Sequence, residues 1–379
     1  MLNNVSGGTM SINLGLGDNT LNLKSGTNAL GDIFNAQHIN GTVDNDTLTV
    51  TNGIGATSSA NVTVDLGGGD DTLSFGGNSV TITALGIEHI TGTGAGDNFL
   101  SLNNQVTGLS IDLGDGTNDS VTLAGSNSLS VTNVEHIYSK DFTGPASDDV
   151  LTLTSTVSGA LSINLFAGTG NTVNLAAGTN SLADIYAETV NGTNSADTLT
   201  VSNTIFTNNA STAVVDLGAD NDTLNVNGTA FNITVRNVET VNGGANNDTF
   251  IIDNAAGVAT TVTGGLGIDH LTAGAGDDTF RFASAQDSGP GGAARDIITD
   301  FNADHDFFDL SDLAGVPSSL TFVTDFNASG QSEARLSNDF GMTVLQIDLD
   351  GNGAMTSADI EVQLVNLTGV LSGNNFLLV

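Results

Sequence analysis

The sequence predicts an all-β protein, a parallel β-solenoid (β-helix or β-roll) followed by a compact carboxyl-terminal β domain. A repeat of about 51 residues, alternation of apolar and polar residues within it, and turns rich in Gly, Asn and Asp carry that expectation.

One block of the repeat reads Gln37-His38-Ile39, followed by Asp46-Thr47-Leu48-Thr49-Val50. Its copies begin at Glu88-His89-Ile90, Glu135-His136-Ile137, Glu188-Thr189-Val190 and Glu239-Thr240-Val241, so the acid or amide steps through positions 37, 88, 135, 188 and 239. A second block lies between these, at Ile12-Asn13-Leu14, Val64-Asp65-Leu66, Ile111-Asp112-Leu113, Ile163-Asn164-Leu165 and Val215-Asp216-Leu217. Each block is a short alternating run of Val, Ile, Leu and Thr bounded by turn residues, the pattern of a strand between turns. Two blocks per repeat leave roughly 25 residues for each coil, and about ten coils stacked at strand spacing would form a rod on the order of 50 Å long. Leu48, Val50, Leu66, Leu73, Leu100, Leu113, Leu151, Leu165, Leu199, Leu217, Leu224 and Phe250 are expected to point inward, with Thr, Ser and Asn forming outward ladders.

The expected organisation is a solenoid over residues 1–260, nonapeptide turns and a junction over 261–310, and the β domain over 311–379. Phenylalanine marks the change: of 17 in the chain, those at 280, 282, 301, 307, 308, 322, 326, 340 and 376 fall in the final part.

Composition narrows the function. The 379 residues include 6 Lys+Arg against 42 Asp+Glu, a formal net charge of −36, and no Cys. Disulfide, thiol and thiolate-metal chemistry are excluded, and so few cations cannot neutralise a phosphate backbone or an anionic bilayer, so neither nucleic acid nor membrane insertion is expected. With 39% hydrophobic residues the chain holds enough apolar surface to fold. Met1-Leu2-Asn3-Asn4-Val5-Ser6-Gly7-Gly8 lacks the basic start and apolar core of a secretory signal peptide, so export is expected to use another signal.

The sharpest motif is Gly264-Gly265-Leu266-Gly267-Ile268-Asp269-His270-Leu271-Thr272, followed at once by Ala273-Gly274-Ala275-Gly276-Asp277-Asp278-Thr279-Phe280-Arg281. Both fit G-G-x-G-x-D-x-U-x, the second missing only its first glycine. Glycines reach turn conformations closed to other residues and turn their carbonyls toward a cation, while Asp adds a hard anionic oxygen of the kind Ca²⁺ prefers. Gly265, Gly267, Asp269, Gly274, Gly276 and Asp278 are therefore candidate calcium ligands. Gly67, Gly69 and Asp71 in Gly67-Gly68-Gly69-Asp70-Asp71-Thr72-Leu73 join them, as do Asp222 and Asp248 in the later copies. Other copies look degenerate: Asn171 stands for Asp, and Pro145 replaces a glycine before Asp148-Asp149. The competing reading is plain Gly/Asp turns without metal. A different signal is Asp348-Leu349-Asp350-Gly351-Asn352-Gly353 with Asp359 in the twelfth position, an EF-hand-type spacing of Asp348, Asp350, Asn352 and Asp359; the alternative is a hairpin turn.

From residue 264 onward the chain resembles the C-terminal region of RTX proteins exported by type I secretion, especially the domain attached to serralysin-type proteases. The tandem nonapeptides carry the resemblance, together with Asp296-Ile297-Ile298-Thr299-Asp300-Phe301, Asp304-His305-Asp306-Phe307-Phe308-Asp309-Leu310-Ser311, Gly330-Gln331-Ser332-Glu333-Ala334-Arg335-Leu336 and the Asp348 segment. Upstream, Asp-Leu-Gly-x-Gly-Asp-Asp-Thr-Leu and Val-Glu-His-Ile strings resemble the repeats of RTX surface-layer proteins and adhesins. The resemblance implies multiple Ca²⁺ ions, a C-terminal export signal read by a type I secretion apparatus, and a secreted, extracellular or cell-surface location.

It does not extend to catalysis. H-E-x-x-H is absent, and His38, His89, His136, His270 and His305 have no zinc-site arrangement; three of them occupy positions where Thr189 and Thr240 also serve, which points to a ladder role. No enzyme is expected. The expected function is a calcium-loaded structural protein that self-assembles into a lattice or filament, because repeats begin by residue 11 and leave little room for a cap over the first strand edge. The alternatives are an adhesin or carbohydrate- or ice-binding rod, with cell-surface polysaccharide as a partner, and a β-helical polysaccharide epimerase or lyase.

Overall fold

The computed structural model describes residues 10–55, 62–140, 148–165, 168–206, 212–255, 257–313 and 319–378. Residues 1–9 and Pro145, which figure in the sequence reading, lie outside these. Among the described residues the regular structure is β-strand apart from one 3₁₀ turn at Gly373–Asn375. The chain divides into two compact units: Met1–Ala176 with Asp184–Glu188, and Ala177–Ala183 with Thr189–Val379.

In the first unit each strand generally pairs in parallel with the strand two places on, so a coil contains two strands and stacks on the next. One apolar file runs Leu48, Leu73, Ile90, Ile111, Val131, and another runs Leu100, Val121, Ile137, Ile163, Ile185. Strands such as Val62–Gly67 alternate buried and half-buried residues, as the period-two pattern requires. Thr72–Leu85 and His89–Leu102 are longer and contribute to both files.

The second unit repeats the arrangement. Leu199 pairs with Leu224, then Val241, Val262, Phe280, Phe308 and Phe376 follow in register. Its last parallel coil contains Asp296–Thr299, which pairs with Ile360–Val365. That strand also belongs to an antiparallel sheet with Met342–Asp348 and Glu333–Asp339, turned through Phe340 and Gly341 at φ 50 and φ 90.

The twelve residues expected to point inward are all 2% exposed or less. Coil lengths depart from the expected 25 residues, since successive register partners lie as close as Val121 and Ile137 or as far apart as Phe308 and Phe376, between which the antiparallel hairpin is inserted. The strands keep register while the turns absorb insertions, because only the strands contribute to the shared core. Some turns are held by contact as well as conformation: a Cβ on Gly67, at φ 103, or on Gly218, at φ 108, would collide with the carbonyl oxygen of Thr42 or Thr193 in the preceding coil.

Phenylalanines close the second unit's core, with the Phe301 and Phe308 rings stacked at 4.5 Å and Phe376 against Phe308 at 5.6 Å. Replacing Phe308, fully buried, by Ala removes this stack, and a loss of about 3–5 kcal/mol is expected for the unfolding transition of this unit. Denaturant titration in calcium-containing buffer measures it; a loss below ~1 kcal/mol would show that the stack is not the closing element.

Candidate metal-binding carboxylate ladder

The acidic residues at the strand entrances do not face water. Asp71, Asp119, Asp222, Asp248, Asp269 and Asp278 are 0–1% exposed. Their carboxylates point at the backbone of the preceding coil and accept its N–H groups. In the first unit Asp46 Oδ1 accepts from Gly26 N at 2.7 Å, and Asp71 Oδ1 from Asp46 N at 2.6 Å; Asp119 Oδ1 accepts from Asn98 N at 2.5 Å. The second unit continues the pattern, with Asp197 N donating to Asp222 Oδ1 at 2.6 Å, Asp248 N to Asp269 Oδ1 at 2.8 Å, and Asp269 N to Asp296 Oδ1 at 2.9 Å. Thr260 N donates to Asp278 Oδ1 at 3.0 Å, and Asp278 N to Asp306 Oδ1 at 3.0 Å.

The Glu of the repeat's first block completes these rungs. Asp71, Asp119, Asn171 and Asp222 donate their backbone N–H to Oε2 of Glu88, Glu135, Glu188 and Glu239 at 2.7–2.9 Å, and Asn19 does the same to Gln37 Oε1. Sequence reasoning used this acid only to mark the repeat's phase. The available signal was its spacing: it follows the rung residue by 16 or 17 positions in all four Glu copies. Asp46, Asp119, Asp197, Asp296 and Asp306 were missed likewise.

The rungs differ in how their second oxygen is satisfied. Asp46 Oδ2 accepts from Thr42 N and Oγ1, and Asp197 Oδ2 from Thr193 N and Oγ1, at 2.7–2.9 Å. Asp278 Oδ2 accepts from Gly274 N at 2.8 Å and Asp248 Oδ2 from Gly244 N at 3.2 Å. By contrast, Oδ2 of Asp71, Asp119, Asp222 and Asp269 is buried with no hydrogen-bond partner among the described residues. A buried carboxylate oxygen left this way is costly unless a cation or a proton meets it. At Asp269 it lies against the turn whose Gly265 and Gly267 have φ 97 and φ 136, and a Cβ on Gly264 would strike it. Gly67 and Gly69 hold the corresponding turn before Asp71, at φ 103 and φ 137. Gly274 and Gly276 pack on Ile252 and Val258 without a positive φ. Bare carboxylate oxygen beside glycine turns suits a hard divalent ion such as Ca²⁺.

The Asp348 segment is a hairpin connection between antiparallel Met342–Asp348 and Ile360–Val365, and it also gathers carboxylates: oxygens of Asp348, Asp350 and Asp359 lie within 4.8 Å of one another. Asp348 accepts from Gly351 N and Gly353 N at 2.8 and 2.7 Å, Asp359 from Leu349 N at 2.8 Å, and Asn352 Nδ2 donates to Asp350. Both readings of this motif, the turn and the acid cluster, describe the same loop.

His38, His89, His136 and His270 stand outside the core on strands, and His305 lies in an exposed turn. His38 pairs in register with Thr20 and Thr63, and His89 with Thr72 and Ser110. The His89 and His305 rings lie 3.0 Å from Asp70 and Asp277.

Burial dominates the protonation of the ladder. It pushes Asp296 up to about 8, with Asp269 adding to the rise, and Asp269 to about 7, with Asp248 and Asp287 adding to it, and Asp222 and Asp306 to about 6; Asp71, Asp119, Asp248 and Asp278 are raised as well. These carboxyls titrate higher folded than unfolded, so in metal-free solution their stabilisation is complete below about pH 4 and is lost as pH climbs through 6 to 8. In chelator, circular dichroism is expected to show more strand at pH 5 than at pH 8, with excess Ca²⁺ abolishing the difference. A metal-free fold that strengthens with rising pH would contradict this ionisation pattern.

No curated protein matches the sequence. Residues 186–377 match the family model described as peptidase M10 serralysin C terminal. That span covers half of the chain and includes the Asp197–Asp222 rungs, the tandem nonapeptides and the closing hairpin, and the protein belongs to this family.

Proposed function

We propose that the chain is a secreted, calcium-binding structural protein that self-assembles at the cell surface, as a layer or an extracellular filament. The observation that carries the reading is the ladder of buried carboxylates with unpartnered oxygens, in a chain with 42 acids and 6 Lys+Arg. Calcium is scarce inside cells and abundant outside, so such a ladder closes after export. That order suits a type I secretion apparatus, which passes an unfolded chain. The Asp348, Asp350 and Asp359 group is a second place where this reading puts calcium.

Assembly is supported by an edge. Thr321–Phe322 covers Glu333–Asp339 only at Glu333 and Ala334, so the rest of that strand presents unpaired backbone among the described residues, next to Leu336 and fully exposed Phe340. A second reading, a rod that binds cell-surface polysaccharide, is favoured by the preordered polar rows, where Asn40 donates to Asn22 at 3.0 Å, Asn242 to Asn225 at 2.8 Å, and Ser74 and Thr91 share a bond of 2.6 Å.

Light scattering and electron microscopy during a Ca²⁺ titration test the proposal: strand content followed by growth into ordered particles is expected. Monodisperse monomers at millimolar Ca²⁺ would remove the assembly reading, and glycan-array binding by those monomers would put the second in its place.

A further inference from the structure

The ladder contains Asn as well as Asp, and the two do opposite things with the same atom position. Asn171 Oδ1 accepts from Asp149 N at 2.9 Å, which fixes the amide's orientation, and its Nδ2 then donates to Leu165 O. Asn127 Oδ1 accepts from Val106 N at 3.0 Å while its Nδ2 donates to Gly125 O. Asn98 Nδ2 reaches both Gly96 O and Leu113 O, at 3.0 and 2.8 Å, leaving only a neutral Oδ1 bare. Asn19 Nδ2 reaches Gly15 O, Gly17 O and Asn35 O at 3.0–3.3 Å. Asn98 stands where Asp46 and Asp197 stand, donating its N–H to the next rung. Asn19 and Asn171 instead donate their backbone N–H to Gln37 and Glu188, as Asp71, Asp119 and Asp222 donate theirs to Glu, and their side-chain NH₂ takes carbonyl oxygens at the turn before the rung. Where the rung is Asp, an oxygen stands in place of that nitrogen. A carboxylate oxygen has no hydrogen to give a carbonyl, and at Asp71, Asp119, Asp222 and Asp269 it is the buried atom without a partner. Leu113 precedes Asp119 by the same interval as Leu165 precedes Asn171.

We propose that Asp and Asn rungs are alternative solutions to one packing problem: a divalent cation sits at each bare Asp rung, and at Asn19 and Asn171, which hold the same place in the ladder, the amide NH₂ takes the cation's place. The inference rests on the calcium reading above and extends it. It assigns cation sites at Asp71 and Asp119, outside the residues that match the family, and it makes the Asn turns metal-independent coils, with no loss of function implied. Rungs closed by threonine, Asp46 and Asp197, need no cation for the same reason.

Exchanging the two residue types in the full-length chain tests this, with bound Ca²⁺ counted by equilibrium dialysis and thermal midpoints recorded in Ca²⁺ and in EGTA. Asn171→Asp is expected to bind one more Ca²⁺ than the unaltered chain and to lose more of its midpoint in EGTA. Asp119→Asn, which needs no metal to fold, is expected to bind one fewer and to lose less. A folded Asn171→Asp or Asp119→Asn with an unchanged count overturns the inference while leaving the calcium reading intact. So does an Asn171→Asp chain whose stability changes with pH alone, since a proton would then fill the position. An unaltered chain that binds no Ca²⁺ overturns both.

Discussion

The constraint on which this structure depends is the burial of carboxylates beneath the backbone of the adjoining coil. Each rung uses one oxygen to hold a neighbour's N–H, which ties successive coils together at the turn as the apolar files tie them along the strands. The cost is the second oxygen. Isolated buried carboxylates lose hydration that a single hydrogen bond does not replace. Cationic side chains offer little help: buried Arg295 is committed to Asp339, at 2.8 Å, and Glu361. What remains is a partner built into the turn, as threonine is for Asp46, an amide in place of the acid, or an ion from solution.

Much of the fold was legible because a solenoid is nearly one-dimensional. The period-two pattern fixes which side of a strand faces inward, and repetition aligns the strands, so Leu48 and Leu73, or Leu199 and Leu224, could be placed in one file from sequence spacing. Coil length was less legible, since turns of different size can join strands in the same register. The ladder was legible only in part. Asp71, Asp222, Asp248, Asp269 and Asp278 stood out beside glycine, but Asp119 follows Asn118 in a less regular turn and did not. Asn171 read as a decayed aspartate because composition rewards charge, whereas the structure shows its amide making bonds that a carboxylate cannot. The role of Glu88 and its equivalents was hidden for another reason: an acid that accepts a backbone N–H across coils has no local signature.

Belonging to the serralysin C-terminal family accounts for the later coils, the tandem nonapeptides and the closing hairpin. The first unit, largely outside that match, uses the same device with more amides.

Anomalous diffraction from crystals grown with Ca²⁺ tests the central claim most directly. The account expects density for an ion at coordination distance, about 2.3–2.6 Å, from Oδ2 of Asp71, Asp119, Asp222 and Asp269, and none beside the amide nitrogen of Asn171. A flat map at those four oxygens would contradict it.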